Sequence, residues 1–129
     1  MNDKPPPIIA FPVAKLKSIM TELEQIESLS KSLLKWYVPE TDLEKWEDSP
    51  VPMICEIYTS ANKLSQFLTG KLKEPTPEEL VVAAAMQMER GVVLPFIESE
   101  VIMISSTLTL IDQNKMYLKM KHNISYEVH

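Results

Sequence analysis

Glycine is almost missing from this chain: there are two in 129 residues, Gly70 and Gly91. Loops that cradle a phosphate need glycine wherever the backbone closes on the ligand, so this scarcity argues against a nucleotide site of that kind. Cysteine is scarcer still. Cys55 stands alone, which excludes an internal disulfide and fits a reducing compartment. On the apolar side of a helix it reads as a small buried hydrophobe. A surplus of basic side chains is also lacking, with 13 Lys and Arg against 18 Asp and Glu and a net charge of −5. Attachment to nucleic acid or to anionic lipid needs a basic footprint, and the only basic cluster, Lys115, Lys119 and Lys121, reads as edge protection on a strand. Long apolar runs are absent too. The most apolar stretch, Leu80 to Ile111, is broken by Glu89, Arg90, Pro95, Glu98 and Glu100. It offers no window of about 20 uncharged residues to span a bilayer. Met1 to Pro7 holds Asp3, Lys4 and three prolines instead of a secretory signal. These absences lead to the expectation of an intracellular, cytoplasmic protein.

Catalytic groups are equally thin. His122 and His129 are the only histidines. On an extended chain they point to opposite faces and cannot share a metal. No Ser-His-Asp or Cys-His arrangement emerges, and Glu98 with Glu100 reads as surface. The acidic run Glu40, Asp42, Glu44 lacks the glycine turn and closing Glu of a calcium loop. The expectation is therefore of no enzyme, no cofactor, no metal and no small-molecule ligand.

What is present is helical periodicity. Leu16, Ile19, Leu23, Ile26, Leu33 and Tyr37 step by three and four, with Ser30 the one polar interruption. Pro39 ends this helix, and an acidic linker over 38–50 follows. Asp48-Ser49-Pro50 then starts a second helix, whose stripe is Ile54, Ile57, Ala61, Leu64 and Leu68. Gly70 lies where a left-handed cap would end it. Thr76-Pro77-Glu78-Glu79 is a capping box, opening a third helix to about Gly91. Residues 1–10 form a proline-rich extended segment, in which Pro5-Pro6-Pro7 has the composition of a polyproline ligand.

The C-terminal stretch alternates. Met116, Leu118, Met120, His122, Ile124, Tyr126 and Val128 fall on one side, with polar residues between them. A period of two belongs to a strand. Val101 to Ile111 is rich in Val, Ile, Ser and Thr, which favour strand. Yet Val101, Ile104, Leu108, Ile111 and Leu118 also fit a helical stripe. The fold expected is α+β, mainly α, in one domain over 1–129: a three-helix bundle followed by a C-terminal β-hairpin or strand. The alternative is an all-α four-helix bundle with an extended C-terminal tail.

Residues 60–91, SANKLSQFLTGKLKEPTPEELVVAAAMQMERG, resemble the helical part of phage head–tail adaptor proteins. There a helix ends in a Thr-Gly-basic turn, here Thr69-Gly70-Lys71, and a proline-led, Ala-rich helix follows. That resemblance implies a structural protein that assembles into rings.

The residues themselves point to association. The function expected is a non-catalytic protein–protein interaction module, either a subunit of a larger assembly or a regulator. It would dock on a protein partner or a second copy through its C-terminal strand and helix faces. Trp36, Trp46, Leu118, Met120, Ile124 and Tyr126 are the expected contact residues, because aromatic anchors and an open strand edge are what such contacts use. The alternatives are the ring-forming adaptor and a small enzyme with an unrecognised pocket.

Overall fold

The computed structural model describes residues 7–73, 76–87 and 91–128, with the side chains of 40, 43 and 122–128 excepted. Three long helices form its body: α1, Val13–Glu40; α2, Val51–Lys73; and α4, Glu98–Val128. A nine-residue helix, α3, Pro77–Ala85, comes before the last of these. Two strands, β1, Ile8–Pro12, and β2, Val93–Ile97, complete the fold, and a 3-10 turn over Leu43–Asp48 links α1 to α2. The class is α+β, mainly α. Among the described residues no helix is long and apolar enough to cross a membrane.

Each long helix presents the seam that its spacing requires. Leu16, Ile19, Leu23, Ile26, Ser30 and Leu33 of α1 are buried, as are Ile54, Ile57, Ala61, Leu64 and Leu68 of α2 and Ile104, Ile111 and Leu118 of α4. Steps of three and four keep one stripe facing inward over many turns, as in a coiled coil. The helix α2 runs back along α1. It starts from Ser49, whose Oγ accepts from the Val51 amide and donates to the Trp46 carbonyl. The helices α1 and α4 pack side by side and run the same way, since α2 runs back along α1 and its last turn, at Lys71, meets Glu100 at the start of α4. Lys115 of α4 meets Glu22 of α1 at 3.7 Å.

The two strands pair from Ile8 against Ile97 to Pro12 against Val93, and the Val13 amide donates to the Val92 carbonyl. Because antiparallel pairs alternate in type, Ala10–Pro95 and Pro12–Val93 fall on non-hydrogen-bonded positions. Neither proline therefore removes a ladder bond. Phe11, Leu94 and Phe96 face the bundle and are buried. Phe96 packs its ring 5.3 Å from Phe11 and 6.2 Å from Phe67 of α2. Pro95 points to the other face and is also buried, where α3 packs on β2.

Several sequence expectations are corrected. The β element is not C-terminal: 98–128 is one helix, and neither a hairpin over 101–128 nor an extended tail forms. The alternation at 116–128 competes with a heptad seam that already runs through Val101, Ile104, Leu108 and Ile111, and packing of that seam on α1 and α2 prevails. Residues 8–10, read from the sequence as extended, form strand β1 together with Phe11 and Pro12 and pair with β2. Gly70 lies inside α2 and Gly91 has no positive φ, so neither serves as a left-handed cap. The Thr-Gly-basic turn behind the adaptor resemblance is thus helical. The helix α3 ends at Ala85, and the left-handed residue after it is Gln87, with φ 54°. Cys55 is exposed, being one step round from Ile54. Pro5, Pro6 and His129 lie outside the described residues, as does the His122 side chain.

Candidate functional site

A polar cluster lies where the bundle meets the strand pair. Lys71, in the last turn of α2, places its Nζ 3.1 Å from Glu79 Oε1 and 3.2 Å from Glu100 Oε2. The same ammonium lies 4.9 Å from the centre of the Phe96 ring and 5.9 Å from that of Phe67, within the range of cation–π attraction. Both carboxylates stand at the third position of a helix. The Glu79 amide donates to Thr76 Oγ1 at the start of α3, and the Ile97 amide donates to Glu100 Oε1 at the start of α4. Glu79 therefore completes only half of the capping box, since its carboxylate turns to Lys71, where the bond is charge-assisted. Glu79 Oε2 is buried without a partner among the described residues.

A cleft of about 150 Å³ adjoins this cluster, lined by Ile8, Lys71, Glu78, Glu79, Val82, Pro95, Phe96, Ile97 and Glu100. Three of its charged side chains, Lys71, Glu79 and Glu100, are engaged with one another. Lys71 ties the end of α2 to the starts of α3 and α4, so the arrangement fastens three helix ends. No group of three or more metal-ligating side chains occurs among the described residues.

The residues expected to contact a partner differ in their exposure. Trp36 near the end of α1 and Trp46 in the 3-10 turn are half-buried, both at the end of the bundle away from the strands. Leu118 is fully buried in the core, so it holds the bundle together and is not open to a partner. Met120 is 53% exposed. Ile124 and Tyr126 lie on α4, with side chains outside those described. Of the four whose side chains are described, Leu118 is closed to a partner and Trp36 and Trp46 are only partly exposed.

The structure also displays other apolar side chains. On α3, Leu80 and Val81 are 51% and 68% exposed, and Met86 and Val92 nearby are also open to solvent. On α4, Ile102, Met103, Met116 and Met120 are exposed. Apolar content alone does not reveal how few neighbours a short helix will have. The Lys71 cluster joins residues far apart in sequence and leaves no local signal. The chain matches no family model, and no curated protein or solved structure matches it.

Proposed function

We propose that the protein is a non-catalytic interaction module, a subunit of a larger assembly or a regulator, that docks through outward helix faces. The observation that carries this reading is α3. Its sequence, PEELVVAAA, is highly apolar, yet it buries only Ala83. Two of its large side chains, Leu80 and Val81, stand in water. Contiguous exposed apolar surface on a folded domain marks a contact site more often than chance decoration does.

The docking would be that of a short helix in an apolar groove. Lys71 supports it by holding Glu79, so α3 is kept helical before it meets a partner and less ordering entropy is lost on binding. Glu78, exposed at the start of α3, favours a groove with a basic rim. The test is affinity capture from the source cells with the wild-type chain and with Leu80→Glu/Val81→Glu. A defined protein retained by the first and lost with the second supports the reading. The same proteins retained by both would contradict it.

A further inference from the structure

The geometry points to the outer face of α4 as a self-association surface that pairs with α4 of a second copy, antiparallel and centred on Thr109. This deepens the interaction-module reading by naming one partner, and it stands on a different helix from α3.

Directly opposite the buried seam of Ile104, Ile111 and Leu118 runs a second stripe. It consists of Glu98, Ile102, Ser105, Ser106, Thr109, Gln113, Met116 and Met120, all exposed. Outward faces of helices in a bundle ordinarily carry charge. This one has a single charged residue, Glu98, along about 33 Å of helix. Its large side chains stand well clear of the protein: Met116 is 77% exposed and Ile102 56%. At its centre the residues are small, and the Thr109 hydroxyl is already bonded to the Ser105 carbonyl. The middle of the stripe is thus smooth and permits close approach of a second helix.

The stripe is self-complementary in one direction only. A two-fold interface requires residue i to meet j while j meets i. With the axis at Thr109, Ile102 lies opposite Met116 of the second copy, and this contact occurs twice. Lys119, exposed on the flank of the stripe, then comes beside the other copy's Glu98, and this pair also occurs twice. A parallel arrangement would instead set Glu98 against Glu98 and Lys119 against Lys119. One helix pair of this length gives an interface at the small end of the stable classes, so dimerisation should depend on concentration.

The test uses the full chain with Cys55→Ser, a change at an exposed position, as background. Light scattering is expected to give a mass rising from the 14.7 kDa of one chain towards twice that as concentration is raised. Met116→Lys is expected to hold it at the lower value. Under mild oxidation Thr109→Cys should cross-link to itself. Ile102→Cys and Met116→Cys should cross-link when mixed and not separately, since a disulfide needs Cα atoms within about 7 Å. A monomer at every concentration with no Thr109→Cys cross-link would overturn the inference and leave the α3 reading to its own capture experiment. Equal self-cross-linking at all three positions would overturn the antiparallel geometry. A dimer untouched by Met116→Lys and lost with Leu80→Glu/Val81→Glu would place self-association on α3 and overturn it as well.

Discussion

Lys71 shows how much of this fold depends on one side chain. It is the cation for two carboxylates and lies over two aromatic rings, with only 14% of its side chain exposed. Lys71→Met keeps the packing on Phe96 and leaves Glu79 and Glu100 without their counter-charge. Removing one partner of such a shielded pair is expected to cost about 1–3 kcal/mol, discounted for the remaining solvent access. Urea unfolding at neutral pH checks this, and an unchanged midpoint would mean that the ammonium is not needed. Ser30 is the opposite case. It occupies a seam position of α1, fully buried, and its Oγ has no partner among the described residues. Ser30→Ala removes an unsatisfied hydroxyl and improves helix propensity, so a gain of about 0.5–1 kcal/mol in the same assay is expected. A loss would show that the hydroxyl is bonded after all. Burial first, and Tyr37 second, hold the Tyr117 phenol above its ordinary value of 10.0. The unfolded chain therefore ionises this tyrosine before the folded one does. The stability that the neutral phenol contributes is intact below about pH 10 and is lost as pH climbs towards the folded value. Tyr117→Phe should flatten the decline of unfolding free energy above pH 10, and an identical decline in both proteins would contradict this.

At the scale of elements, α1 and α2 were readable because their signal is local. A stripe such as Leu16, Ile19, Leu23, Ile26 has its whole period within two turns, and the same residues are buried in the structure. Thr76 was readable as a cap for the same reason. The strand pair was not. Its halves lie far apart in the chain, each contains a proline, and only the pairing register reveals that both prolines sit where no ladder bond is lost. The C-terminal segment carried two periods at once, and burial of Ile104, Ile111 and Leu118 decides in favour of helix. Two substitutions separate the alternatives. On a strand Leu118 and Met120 share a face, whereas on a helix they point nearly apart. Leu118→Ala is expected to cost about 2–5 kcal/mol, as for other buried leucines, and Met120→Ala less than about 0.5 kcal/mol. Equal costs would contradict the helix.

For the whole molecule, the division between folding surface and contact surface is the main consequence of the architecture. Three helices and a strand pair close the core without any large residue of α3 and without the outer stripe of α4. Of the six contact residues named from sequence, Met120 alone is seen to lie on either exposed apolar surface. Trp36 and Trp46 are half-buried at the far end, and Leu118 is in the core. Hydropathy marks a residue as apolar, but which side of a helix finds a neighbour depends on topology, and the sequence carries no local record of that. Both surfaces display large apolar side chains, so attachment to partners is expected to rest mainly on apolar contact, with charges at the rim, and to weaken little with salt.

The most direct measurement on this account is a paired readout on a single triple variant, Leu80→Glu/Val81→Glu/Met116→Glu. Its unfolding free energy and its retained partners, a second copy included, would be compared with those of the wild type. The account predicts stability within about 1 kcal/mol of wild type, as for surface changes remote from the core, together with loss of association. A drop of several kcal/mol would show that these side chains belong to the core, and undiminished association would show that they are not where the protein binds.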